Sequence, residues 1–274
     1  MTSMAEFFLV LLALAAAAVP SQMLLGDVLG IMRAPRSLRL AGIPALVFFL
    51  ALLIFLAVNH AVLLGAIGVG VAVGILATLA LDSIRIPGYL TGNMPMDLPM
   101  RFGTMILGLD KRLKQRVMGR VLRHINEQIQ QGVPSDQLMD EKGFPQLPLP
   151  TMRKLLKPAF RDVLEERGVP SWKVRGSGYL WHYTNGASFG IIHALLLGAS
   201  WPFTVLFGLV LAGTFIVIIQ FLIPPMRRGP RMPAVILLAH VAVILVFGFA
   251  FAAFLAPEAS ALSLLSQVLQ LLGL

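Results

Sequence analysis

Long apolar runs, each able to cross a bilayer, dominate this chain and leave few other folds open to it. A helix needs roughly 20 apolar residues to traverse a hydrocarbon core of about 30 Å, and backbone polar groups in lipid must bond within their own segment. Six segments satisfy that demand: Phe7 to Leu25, Leu40 to Val58, Ala61 to Leu81, Tyr179 to Leu197, Pro202 to Ile223 and Pro233 to Ala256. The second and third are separated only by Asn59 and His60, and the fourth and fifth only by Gly198 to Trp201, so each pair is expected to form an antiparallel hairpin. The expected fold class is therefore all-α, a polytopic transmembrane bundle of about six spans with one helical insert.

The charges give the expected orientation. Three gaps hold all 22 Lys and Arg residues: Arg33, Arg36 and Arg39 after the first span, the stretch from Arg85 to Arg175 after the third, and Arg227, Arg228 and Arg231 after the fifth. With six spans these gaps share one face, which the positive-inside rule makes cytoplasmic, in a bacterial inner membrane with both termini periplasmic. Glu6 and Glu258 are then the only carboxylates outside. A cleaved leader over Phe7 to Ala18 would put the three following arginines on the wrong side, so a retained first helix is expected. The divisions expected are spans one to three over 1–84, a cytoplasmic insert over 85–177, spans four to six over 178–257, and a periplasmic amphipathic tail over 258–274.

Composition removes several function classes. A 57% hydrophobic chain with 13% charged residues is unlike a water-facing one, and its net charge of +9 sits in loops rather than on a folded basic surface, which argues against nucleic acid. No cysteine means no thiolate zinc, iron-sulfur cluster or covalent haem. No P-loop, dinucleotide fingerprint or recognisable nucleophile and base spacing argues for an enzyme.

Within the insert, Ile106, Leu109, Leu113, Val117, Val121, Ile125 and Ile129 recur every three or four residues, with Lys111, Arg112, Lys114, Arg116, Arg120 and Arg123 between them. This predicts one amphipathic basic helix over 100–131, lying either on anionic headgroups or packed on the bundle with its cations in water. A second helix is expected from Thr151 to Arg167, closed by Gly168 and Pro170.

Ionisable groups inside spans are costly and require partners. Asp27 and Asp82 end inward-running spans, while His182 and His240 begin outward-running ones, so all four are expected at similar depth. Gly70, Gly74, Thr78 and Asp82 form a small-residue stripe, and His182, Asn185, Phe189 and His193 form another beside a GxxxG surface of Gly186 and Gly190. Gln220, seven residues after Gly213, also falls on a close-packing face. An ion or proton pocket is thus expected from Asp27, Asp82, His182, Asn185, Gln220 and His240. A metal would use Asp82, His182 and His240, and a b-type haem would use two of His182, His193 and His240. In the competing structural reading, Asp82 pairs with Arg85 one turn on and each His caps a carbonyl. Tyr179, Trp181, Tyr183, Trp172 and Trp201 read as an aromatic belt. The expected partners are the bilayer, anionic headgroups, and other membrane proteins or a second copy.

The run Gly74-Ile75-Leu76-Ala77-Thr78-Leu79-Ala80-Leu81-Asp82, followed after the insert by Gly178-Tyr179-Leu180-Trp181-His182-Tyr183, Gly186 and Phe189-Gly190, resembles bacterial inner-membrane proteins of the YagU-like and related unknown-function type. The likeness continues through Ile223-Pro224-Pro225-Met226 and Ala239-His240. It implies a four-helix core of spans three to six with Asp82, His182 and His240 as key positions, and it brings no reaction with it. Two extra N-terminal spans and a longer insert depart from that pattern.

Overall fold

A computed structural model describes residues 4–94, 97–141, 143, 145–222 and 231–272. Among these the chain is all-α, with no strand beyond a single Met139–Pro145 bridge. Helix α1 covers Met4–Val28; α2, Ala34–Ser37, runs through a π-helical turn at Leu38–Gly42 into α3, Ile43–Asn59; α4 covers Ala61–Leu90. The insert supplies α5 (Leu98–Ile106), α6 (Asp110–Gln130) and α7 (Leu149–Arg167). Then come α8 (Ser171–Leu197), α9 (Trp201–Leu222), α10 (Arg231–Phe254) and two short helices, α11 (Pro257–Ala261) and α12 (Leu264–Leu271).

Five of the described helical segments are long and apolar enough to cross a membrane: Met4–Val28, Ala34–Asn59, Ala61–Leu90, Trp201–Ile218 and Met232–Phe254. The expected fourth span falls in α8, which has the length, 27 residues, but not the apolarity. Its polar groups face protein instead of lipid, with Asn185, Ser188 and His193 all buried. Because α8 runs antiparallel to α4 from Gly190 beside Gly70 to Tyr179 beside Arg85, it shares the depth of a helix that does qualify.

That α4–α8 pairing brings backbone against backbone, and glycines make it possible. A methyl group added at Gly74 would land on the Gly186 carbonyl oxygen, one at Gly190 on the Gly70 carbonyl oxygen, and one at Gly70 within 2.8 Å of the Ile191 Cα. Apolar burial drives little association in lipid, so backbone approach and van der Waals fit hold such helices together. Gly103 of α5 and Gly178 of α8 repeat the arrangement at the next level, each meeting a backbone carbonyl, of Val174 and Pro99 respectively. Toward the opposite end the packing becomes apolar, with Val10, Ala13, Leu56, Leu63, Ala66, Leu195, Phe247 and Phe251 buried together. Helix α3 is peripheral, burying only Leu52 and Leu56.

The insert departs from the expected single basic helix. Gly108 adopts a φ of +69° and separates α5 from α6, a turn that a side chain would strain. On α6 the apolar stripe Leu113, Val117, Val121 and Ile125 is buried in one cluster with Met152, Leu156 and Ala159 of α7, so this face packs on protein and is not presented to headgroups. Its cations face the acids of α7: Arg116 donates to Glu166 at 2.7 Å and Arg120 to Asp162 at 2.5 Å, while Arg112 also pairs with Glu166. Lys114 meets Asp110 of its own helix at 3.1 Å. Lys111 and Arg123 have no ion pair among the described residues. The expected tail helix is likewise two, because Ser263 caps α12 by accepting from the Ser266 N–H at 3.3 Å. Asp27 sits where α1 ends, accepting the Ala34 N–H near Arg101, Asp110 and Lys114, which brings the first basic turn and the insert to one end of the bundle. The Gln220 side chain, Pro224 to Met226, Arg227 and Arg228 lie outside the described residues.

Two measurements check this packing. Gly190→Ala should lower detergent stability by about 1–3 kcal/mol through overpacking. Gly119→Ala, on the open face of α6 with nothing within 4 Å, should raise it by up to about 1 kcal/mol in the same denaturation series. Bonding to Arg120 and to Arg116 holds the Asp162 and Glu166 carboxyls below the usual carboxylate range. Their contribution is therefore complete above about pH 5, beyond the ordinary carboxylate values, and is lost as pH falls through the lowered values. Amide exchange of α6 and α7, corrected for intrinsic rates, should lose protection from about pH 4 downward and stay level from about pH 5 to 7.

Candidate functional site

The basic end of the α4–α8 seam carries a buried charge network. Asp82 lies one turn beyond Thr78 on the packed face of α4, and the antiparallel register places His182 opposite it. Asp82 Oδ1 accepts from Arg85 Nε at 2.8 Å and from His182 Nε2 at 2.9 Å, while Tyr183 donates its hydroxyl to Oδ2 at 3.4 Å. Arg85, 3% exposed, continues the chain: Nη1 donates to Asp97 Oδ1 at 2.5 Å and Nη2 reaches the Tyr179 hydroxyl at 3.5 Å. Tyr179 in turn donates to Asp97 Oδ2 at 3.3 Å. One guanidinium thus ties two carboxylates on separate elements, and two tyrosines of α8 close the ring.

Local sequence explains each position. Arg85 is one turn past Asp82 on α4, which continues two turns beyond the expected end of the span. Asp97 stands at the N-cap of α5 without capping it, because both carboxylate oxygens are committed to Arg85 and Tyr179. The His182 ring thus meets a carboxylate that already binds a guanidinium.

Two cavities of about 50 Å³ each adjoin the network, and His182, His240, Leu81, Phe102 and Phe215 line both. Each has room for about one or two water molecules. His240 is held by its own helix, donating from Nδ1 to the Ile236 carbonyl at 2.8 Å, and its ring lies 5.4 Å from that of Phe215. Asn185 joins the wall of one cavity and accepts from Ser21 of α1 at 3.3 Å.

The other expected members lie elsewhere. Asp27 belongs to the Arg101, Asp110 and Lys114 group rather than to the Asp82 network. His193 sits eleven residues from His182, about 16 Å further along α8, and lines neither cavity. Its Nε2–H donates to Thr204 Oγ1 at 2.8 Å, its ring stacks on Phe251 at 4.5 Å, and it fills an apolar layer with Phe207 and Phe247. Nor do the residues fit a haem: cavities of about 50 Å³ between His182 and His240 hold no macrocycle. Among the described residues no group of three or more His, Asp or Glu is placed to hold a metal, and Asp82 already bonds a guanidinium.

Asp97 is the member that sequence reading missed. It lies in a Pro-rich connector, and the only signal was that a carboxylate twelve residues after Arg85 precedes Leu98-Pro99, where a helix can begin. No family model matches the chain, and neither a curated protein nor a solved structure does.

Removing Arg85 leaves the buried carboxylate of Asp82 and the half-buried one of Asp97 without their shared cation. Arg85→Gln should therefore cost about 3–5 kcal/mol, read as a drop in the detergent unfolding midpoint, and adding Asp82→Asn to it should recover part of that loss. A double variant no more stable than the single one would show that the charges are not coupled.

Proposed function

We propose that this chain is a multi-pass protein of the bacterial inner membrane, with its basic loops cytoplasmic, and that it takes up and releases protons at His182 as a proton conduit or sensor. The observation that carries the reading is the charge count around Asp82. Two carboxylates, Asp82 and Asp97, share one guanidinium, so the network bears one negative charge when His182 is neutral and none when it is protonated. Imidazole is the side chain whose charge changes readily between about pH 5 and 8. An intramembrane ionisable group with named partners and adjoining water-sized space is the arrangement used by proton relays.

The proton reading is favoured over the metal one by the donor set, since the carboxylate that a metal would need already binds Arg85. A second reading, an accessory or scaffolding subunit of a larger membrane complex, would need glycine faces and a basic helix left free for partners. Gly70, Gly74, Gly186 and Gly190 meet one another within the chain, and Arg112, Arg116 and Arg120 pair with α7, so those features are spent internally.

Proteoliposomes with a trapped pH-sensitive dye and an imposed potassium diffusion potential test the proposal. Proton entry should exceed that of empty vesicles and fall about tenfold or more in His182→Gln and Asp82→Asn, with His124→Gln, half-buried on α6 and outside both cavities, as the unchanged control. Wild-type flux equal to empty vesicles, together with a His182 NMR signal that does not titrate between about pH 5 and 8, would remove both the conduit and the sensor.

A further inference from the structure

A recess with an apolar floor lies beside the charge network, where the insert meets the bundle. It has a volume of about 660 Å³ and is enclosed by the end of α4, by α5, α6 and α7, and by the first turns of α8. Its floor is apolar, formed by Tyr89, Met100, Leu113, Leu156, Phe160 and Leu164. Its rim is cationic: Arg153, Lys154, Lys157, Arg161 and Arg175 line it, against a single carboxylate, Asp97, which is already bonded to Arg85. Among the described residues, Arg153, Lys154, Lys157 and Arg175 have no ion pair, in contrast to the cations of the neighbouring α6–α7 face. Arg161 has only a loose contact with Glu165 at 3.7 Å. The Arg153 guanidinium lies over the Tyr89 ring at 4.8 Å, which fixes it at the wall while leaving its donors uncommitted to any anion.

Like charges outnumber counter-charges here, around a concavity of the size small-molecule sites have. A surface that merely needed solubility would intersperse acids, as the α6–α7 face does with Asp162 and Glu166. We infer that this recess binds a phosphate-bearing amphiphile, its phosphate held by Arg153, Lys154, Lys157 and Arg175 and its apolar portion on the Phe160–Leu164 floor. Guanidinium forks suit phosphate oxygens, and ammonium groups add charge without strict geometry. The recess lies between the last turn of α4 and the first turns of α8, and an anionic lipid headgroup and a free phosphate compound share the chemistry it requires.

The test uses the full chain in a neutral detergent. Native mass spectrometry and intrinsic fluorescence follow titration with short-chain phosphatidylglycerol, phosphatidylcholine and inorganic phosphate. Three proteins are compared: wild type, the rim triple Lys154→Gln, Lys157→Gln and Arg175→Gln, and a charge-matched triple away from the recess, Lys111→Gln, Arg123→Gln and Arg167→Gln. All six positions are exposed, so folding is retained. Phosphatidylglycerol should bind wild type and the distant triple alike, bind the rim triple at least about tenfold more weakly, and outcompete phosphatidylcholine. Rim-dependent binding of inorganic phosphate alone would also support the site and identify a soluble phosphate as its source. Equal weakening in both triples, or no binding that depends on the rim, would overturn the inference.

Discussion

A guanidinium in low dielectric must be neutralised where it stands, and Arg85 meets that demand by joining Asp82 of its own helix to Asp97 of the insert. Much of the polar end follows. Asp97 is anchored at the head of α5, which fixes the first short helix of the insert against α8, and Tyr179 and Tyr183 are oriented by the same two carboxylates. The insert is therefore attached to the bundle by charge, by the Gly103–Gly178 contact and by an apolar cluster that joins Leu98, Phe102 and Met105 to Leu24, Met232 and Ile236.

The chain's architecture was legible wherever a physical rule operates over many residues. Lipid's requirement for self-satisfied backbone marks long apolar runs, and five of them are the apolar helices found. The fourth-spaced stripe Gly70, Gly74, Thr78 and Asp82 likewise marks a packing face, because that spacing returns to one side of a helix. The meeting of Asp82 with His182 was readable as depth, since counting residues from the same boundary along opposite directions yields height in the membrane. Azimuth was not readable. Asp27 has the same nominal depth but points toward Arg101 and Asp110, and no single-helix pattern says around which side of the bundle a residue sits.

Single residues that act through tertiary partners were the other silent class. Gly108 breaks an apparently continuous amphipathic pattern because one glycine in the left-handed region outweighs periodicity on either side. The stripe on α6 reads identically whether it rests on headgroups or on another helix; only the matching stripe of α7, with Met152, Leu156 and Ala159, decides between them. Helix α8 falls short of a spanning helix's apolarity because it carries Asn185, Ser188 and His193, whose polar side chains are buried against neighbours.

The glycine seam between α4 and α8 has a mechanical consequence. Where backbone rests on backbone there are no long side chains to swing aside, so relative sliding has no shallow intermediate positions and would have to jump by about one helical turn, roughly 5.4 Å. The two helices are thus a stator, keeping Asp82 and His182 in fixed register. Relative movement within the bundle would fall instead to α9 and α10, whose inward surfaces carry deformable side chains such as Phe215, Ile244 and Phe247.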